Sequence, residues 1–127
     1  MISPETKNDI FELSSKPVGL GGWLGIPYEE SGCLNFLVMV YQRMGIEVTQ
    51  ESVKEARHFR KVSSPQFGDI VVFHGPPIIN GFHVAMMLDQ RLAIQSVPST
   101  GGVGKIDINR QPWINMIRAF YRHESCC

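Results

Sequence analysis

One cysteine stands at the start of an apolar run in the segment SGCLNFLVMVYQRMG, residues 31–45. From Cys33 onward the apolar residues recur at helical spacing until Gly45, which is typical of a core helix. The free N–H groups and the positive dipole end at a helix start favour a thiolate, the species that attacks a carbonyl carbon. Cysteine is also often simply buried in cores. The position alone leaves a nucleophile and a core residue open.

A thiol nucleophile needs a general base, and the chain contains four histidines. His83 begins the apolar run HVAMML directly after a glycine-containing loop. We therefore expect it at the edge of a sheet, where the start of a helix can face its imidazole. His58 in a polar segment and His123 near the chain end are both expected in solvent. His74 closes the segment DIVVFH, where its loop is expected to satisfy it. His83 is the best candidate base.

An imidazole base must be held in one tautomer, usually by an acceptor on its far nitrogen. Gln95 is a polar residue in the middle of the apolar segment LAIQSV, which follows the His83 segment after the turn DQR. The two side chains are therefore expected as neighbours on one face of a sheet. The alternative for Gln95 is an edge-strand glutamine that faces water.

The order of local patterns predicts the elements that position these residues. Ser3 and Pro4 predict the start of an N-terminal helix, and a polar helix is expected from about Gln50 to Phe59. The segments DIVVFH, GFHVAMML and RLAIQSV predict neighbouring antiparallel strands, and residues 103–122 are expected to add one or two more around a turn at 109–113. This order indicates an α+β domain in which a central helix bearing Cys33 packs on an antiparallel β-sheet.

Length, charge and cysteine content narrow the class of protein. A chain of 127 residues supports one core, and twelve basic residues balance twelve acidic ones. We expect no nucleic-acid partner and no membrane partner, since neither charge sign is concentrated. No secretory signal is recognised, so synthesis in the cytoplasm is expected. The terminal pair Cys126 and Cys127 is expected in a mobile tail. No metal or cofactor is expected, because the usual ligand and phosphate-loop motifs are missing.

Five segments in order resemble the NlpC-type cell-wall peptidases, a papain-like cysteine hydrolase family. They are WLGIPYEESGCLNFLVMVYQRMGIEV, FGDIVVFHG, FHVAMML, AIQSVPSTGGV and PWINMIRAFYR, and they cover roughly residues 23–122. The resemblance implies a papain-like fold in one domain, 1–127, with an N-terminal helix and loop at 1–22, a core at 23–122 and a tail at 123–127. It implies catalytic roles for Cys33 as nucleophile, His83 as base and Gln95 as orienting residue, and a substrate-binding role for Tyr28.

Two residues beside Cys33 depart from the family pattern. Gly32 stands where the family usually has Asp, and Asn35 stands where it usually has a Gly that lets the helix pack closely on its neighbour. These departures favour an alternative of another class, in which the chain is a structural or assembly component, such as a phage tail or baseplate protein, that keeps the fold without the chemistry. The intact set of Cys33, His83 and Gln95 favours the enzyme.

The resemblance implies a cysteine peptidase that cleaves an amide bond in the stem peptides of bacterial peptidoglycan, through an acyl-enzyme. Further alternatives are an N-acetylmuramoyl-L-alanine amidase and a secreted antibacterial toxin. Because peptidoglycan lies outside the cytoplasm, delivery in a virion by phage tail proteins, or export by a non-classical route, is expected. The compact form of the domain resembles the peptidase module of phage tail-tip proteins.

Overall fold

The computed structural model describes residues 2–74, 83–98 and 101–126. Within these ranges the chain forms four α-helices, α1 Pro4–Leu13, α2 Tyr28–Ser31, α3 Cys33–Arg43 and α4 Gln50–Lys54. It also forms six strands, β1 Phe59–Val62, β2 Ile70–Phe73, β3 His83–Met87, β4 Leu92–Val97, β5 Gly102–Asp107 and β6 Ile117–His123. None of the described helices has the length and apolar character needed to cross a membrane. The predicted α+β class is confirmed.

All six strands form one antiparallel sheet in the order β1-β6-β2-β3-β4-β5. The three predicted neighbours, β2, β3 and β4, are adjacent as expected. The last strand, β6, returns across the sheet to pair with β2 and β1 rather than with β5. Register along β2 and β3 places Phe73 opposite His83. The sheet thus brings the end of β2 to the strand start that carries the candidate base.

The helix predicted at the N-terminus forms with the predicted start. The Ser3 side chain accepts a hydrogen bond from the Thr6 amide at 3.1 Å, which satisfies one of the free N–H groups of α1. The helix predicted from Gln50 to Phe59 is wrong in its length, because α4 ends at Lys54. Ala56 and His58 adopt left-handed backbone with φ 55° and 67°, so the chain reverses. Phe59 then begins β1, a strand that the polar pattern did not predict.

The two faces of the sheet carry separate apolar clusters. Side chains of α3 pack on one face against a cluster that includes Val84, Met86 and Ile94. The opposite face carries a second cluster of Val71, Phe73, Ala85, Met87, Ala93, Ile108 and Met116. Because alternate residues of a strand point to the same face, His83 shares the second face with Ala85, and Gln95 shares it with Ala93.

The end of the chain is packed rather than free as far as residue 126. His123, expected in solvent, is buried, and its ring lies edge-on to Phe59 at 4.9 Å. Cys126, expected in a mobile tail, is buried in the cluster beneath α3. The physical reason is the pairing of β6 with the unpredicted β1, which carries the chain end onto the core. Cys127 lies outside the described residues.

Candidate active site

Cys33 begins α3 directly after a glycine whose backbone only glycine adopts readily. Gly32 has φ 57° and ψ 158°, a region in which any side chain is strained. No side chain caps this helix start. The backbone N–H groups of Cys33 and Leu34 lie near the Cys33 thiol. Gly32, where the family has Asp, is therefore a residue that this turn into α3 requires.

The Cys33 side chain is partly buried and packs against the cluster on the α3 face. Burial raises the pKa of its thiol, and this is the largest effect on it. The N–H groups of Val84, Leu34 and Cys33 and the charge of Lys54 lower the same pKa by less, so the pKa stays above its ordinary value. Desolvation therefore has a larger effect on the thiol pKa than the backbone N–H groups at the helix start.

His83 and Gln95 are in direct contact. The ring nitrogen Nε2 of His83 lies 2.6 Å from Oε1 of Gln95, and the two side chains are only 4% and 1% exposed. A carboxamide oxygen only accepts, so in this orientation Nε2–H donates and the lone pair of the neutral ring is on Nδ1. The glutamine therefore selects the tautomer that a general base requires. The alternative of an edge glutamine that faces water is wrong for Gln95.

The imidazole of His83 packs in a cluster with two aromatic rings. Phe73 stacks on it with ring centroids 5.8 Å apart, and Trp113 lies at 5.9 Å. Trp113 also contacts Phe73 at 5.1 Å. Sequence reasoning assigned no role to either aromatic residue. Their only signal was that Phe73 ends an apolar strand and that Trp113 lies in the segment PWINMIR. The rings exclude water from the bond between His83 and Gln95.

Cys33 meets β3 at the peptide that links His83 to Val84. The Val84 N–H lies near the Cys33 sulfur, while the side chain of Val84 packs towards α3 and that of His83 lies on the opposite face. Burial lowers the pKa of His83, and the bond to Gln95 opposes this effect by less. With the cysteine pKa raised and the histidine pKa lowered, both groups are neutral at neutral pH. This state suits general-base catalysis rather than a preformed ion pair.

Tyr28 begins α2, the single helical turn that precedes Gly32. It is partly buried, and α2 contacts α3, β4 and β5. The preceding segment is fixed to β5, where Pro27 pairs with Gly102. A Cβ at Gly102 would lie 1.9 Å from the Ile26 carbonyl oxygen, so only glycine permits this approach. Tyr28 is thereby held beside the strand that carries Gln95.

The remaining histidines lie outside this cluster. His58 is exposed, with its Nδ1 3.3 Å from a carboxylate oxygen of Glu124, and His74 is exposed at the end of β2. Among residues 2–74, 83–98 and 101–126, no three His, Cys, Asp or Glu side chains come together as metal ligands. The chemistry offered by the described side chains is therefore that of a thiol, an imidazole and an amide.

An antiparallel sheet covered by a helix that starts with cysteine, with a histidine and an orienting amide on adjacent strands, defines the papain-like class of α+β fold. The family model "NlpC/P60 family" matches residues 21–122. The chain belongs to the NlpC/P60 family. This family consists in general of cysteine peptidases or hydrolases of peptidoglycan.

Three solved structures share the fold at low sequence identity. A lipoprotein-like NLP/P60 family protein of Staphylococcus aureus superposes with a TM-score of 0.72 and 20% identity, covering 94% of this chain and 42% of that one. An NlpC/P60 family protein of Bacillus cereus gives 0.68 and 23%, covering 93% and 40%. The endolysin LysIME-EF1 gives 0.57 and 15%, covering 98% and 65%. The chain spans about two-fifths of the first two proteins. No curated protein matches it.

Proposed function

We propose that the chain is a cysteine peptidase that hydrolyses an amide bond in the stem peptides of bacterial peptidoglycan. The observation that carries this proposal is the hydrogen bond between His83 and Gln95. His83 is the first residue of β3, and the N–H of the next residue, Val84, contacts the Cys33 thiol. This arrangement provides a base with a defined tautomer, and the peptide that follows the base lies at the thiol of a helix start. Membership of the NlpC/P60 family supplies the class of substrate.

In the proposed mechanism Nδ1 of His83 takes the Cys33 proton as the sulfur attacks the carbonyl carbon, which requires the imidazole to reach the α3 face at the start of β3. The negative charge that develops on the carbonyl oxygen is stabilised by the Cys33 N–H at the uncapped start of α3. Protonated His83 then donates its proton to the leaving amine, which leaves an acyl group on the sulfur. Water, deprotonated by His83, hydrolyses this thioester and restores the free thiol. Gln95 holds the ring throughout.

The position of Tyr28 supports its proposed contact with substrate. Its helical turn lies against α3 and against β4 and leads through Gly32 into Cys33. Asn35 is exposed on α3, which means that the missing glycine is not needed for the packing of α3 on the sheet. Neither departure from the family pattern therefore argues against activity.

Delivery to the cell wall is a separate part of the proposal. Phage tail proteins or another delivery complex would carry the domain to peptidoglycan. The competing proposal is an assembly component that has the fold without activity. The observation that favours it is the near-complete burial of His83 and Gln95, at 4% and 1% exposure, together with the protonated thiol.

Digestion of purified peptidoglycan sacculi distinguishes the two proposals. The wild-type protein is expected to release soluble peptide fragments whose masses identify the bond, and Cys33→Ala is expected to release none. Cys126→Ala, which changes a buried cysteine in the core, is the matched control and should retain release. Fragments from neither the wild type nor the control would support the assembly component. Muramic acid ends free of peptide would instead identify an amidase.

A further inference from the structure

A groove lies between α4 and the sheet, next to the site described above. Its volume is about 280 Å³, and its floor is formed by apolar residues of β2 and β6, including Ile70, Val72 and Ala119. Val53 and Lys54 of α4 form one wall, and Arg118 of β6 lines the groove as well. Small-molecule sites commonly measure about 300–1,000 Å³, so this groove has room for a small part of a ligand.

The groove adjoins the candidate nucleophile and base. It is lined by Phe73 and His74 at the end of β2, and Phe73 is both the register partner of His83 and the ring stacked on its imidazole. At the other wall, α4, which carries Lys54, contacts α3, the helix that begins with Cys33. A peptide whose scissile bond lies at Cys33 can therefore extend into this groove.

The groove has an excess of positive charge. Lys54 and Arg118 both line it and are both exposed. Among the described residues, no carboxylate lies within ion-pair distance of either cation. Glu55, an acid of the lining, is bound by Arg57 at 3.1 Å. An apolar floor with two free cations is complementary to an aliphatic segment that bears a carboxylate.

We propose that this groove is a substrate subsite in which Lys54 and Arg118 bind a free carboxylate of the peptide beside the scissile bond. The inference rests on the proposed peptidase function and deepens it, because it assigns the residues that select an acidic peptide over a neutral one. The sequence singled out neither cation, since neither belongs to a recognised phosphate or carboxylate motif.

The experiment compares a set of synthetic stem peptides in which each free carboxylate is converted in turn to the primary amide. Binding is measured by calorimetry on Cys33→Ala protein, and kcat/KM is measured on protein with Cys33 intact. We expect amidation of one particular carboxylate to lower both the binding affinity and kcat/KM by about tenfold, as for the loss of a charge-assisted hydrogen bond. In Lys54→Met/Arg118→Met protein, the same conversion should have no effect. Any influence of Lys54 on the Cys33 thiol acts equally on both peptides, so it cancels in the ratio of kcat/KM for the acid to kcat/KM for the amide.

The matched control is Lys105→Met/Arg110→Met, which removes two exposed cations at and after β5, on the far side of the sheet. It should discriminate between acid and amide as the wild type does. If the wild type cleaves the acid and the amide peptides with the same kcat/KM, the proposed subsite is overturned and the proposed peptidase function stands. If Cys33→Ala protein binds the acid more tightly than the amide but the wild type cleaves neither, the proposed peptidase function is overturned and the subsite stands. Neither binding nor cleavage would overturn both.

Discussion

At the scale of single residues, the site depends on how burial sets the protonation of Cys33 and His83. Burial raises the pKa of the cysteine and lowers that of the histidine, so both neutral forms are favoured. The proton then has to move during attack rather than before it. Gln95 matters because its oxygen fixes the proton on Nε2 and leaves Nδ1 as the base.

The first prediction concerns the pH dependence of Cys33. Because its pKa is raised, alkylation by iodoacetamide should be slow at neutral pH and should still be increasing at pH 9.0, the ordinary thiol value. Because the pKa of His83 is lowered, kcat/KM should fall only below pH 6.5 as the ring becomes protonated. The measurements are alkylation rates and kcat/KM across pH. Fast alkylation that stays constant below pH 6.5 would instead indicate a thiolate–imidazolium pair.

The second prediction concerns Gln95→Met, which keeps the volume of the side chain but removes the acceptor. We expect kcat to fall by about 10–100-fold, since the base loses its fixed tautomer. The decrease in kcat/KM at acid pH should move to lower pH, because the hydrogen bond with Gln95 raises the pKa of His83 in the wild type. The melting temperature should change little, because the variant also removes the buried Nε2 that has no partner among the described residues. An unchanged pH profile would contradict the positioning role.

At the scale of elements, the start of α3 determines where the thiol lies. The turn from α2 into α3 depends on Gly32, whose φ of 57° with ψ of 158° allows Cys33 to begin the helix without a capping side chain. The N–H groups that a cap would occupy then remain for a substrate oxygen. The short α2 and the paired segment at Pro27 hold this turn against β5.

The third prediction is that Gly32→Ala destabilises the protein through backbone strain. The added methyl group meets no atom within 4 Å, so the cost comes from the dihedral angles alone and is about 1–3 kcal/mol. Activity should fall as well, because relief of the strain displaces Cys33. Urea unfolding measures the first effect and peptide hydrolysis the second. Gly19→Ala, which has open space and no positive φ, is the control and should leave both nearly unchanged.

At the scale of the whole molecule, a buried ion pair joins the last strand to the turn before β2. Arg122 donates through two nitrogens to the two carboxylate oxygens of Asp69, each at 2.9 Å, and the side chains are 14% and 0% exposed. The Gln66 amide donates to the same carboxylate at 2.9 Å. The pair fixes β6 in the position that brings β1 and the buried chain end onto the core.

The fourth prediction is that Arg122→Met destabilises the protein by about 3–5 kcal/mol, because Asp69 is left buried without the arginine that compensates it. Chemical unfolding followed by circular dichroism gives the value. Arg43→Met is the matched control, since Arg43 forms a similar two-point bond with Asp9 at the surface. Its unfolding midpoint should stay close to that of the wild type. Equal effects of the two substitutions would show that burial does not determine the contribution of the pair.

Much of this architecture follows from local patterns in the sequence. The cap at Ser3, the periodicity after Cys33 and the strands around His83 and Gln95 are local signals, and each formed at about the predicted place. The pairing of β6 with β1 and β2, the burial of His123 and Cys126 and the rings around His83 depend on contacts between distant segments. No window of sequence contains those contacts. Burial around Cys33 is of the same kind, so the helix start alone did not reveal how far the thiol is desolvated.

The central claim is that Cys33 forms a covalent acyl intermediate, and the most direct measurement is the mass of that intermediate. Protein mixed with an ester of a stem peptide is quenched in acid during turnover, digested and examined by mass spectrometry. The account predicts an acyl group on the fragment that contains Cys33, present in the wild type and in Cys126→Ala and absent from Cys33→Ala. Turnover of the ester without any acyl group on that fragment, or an unchanged rate in Cys33→Ala, would contradict it.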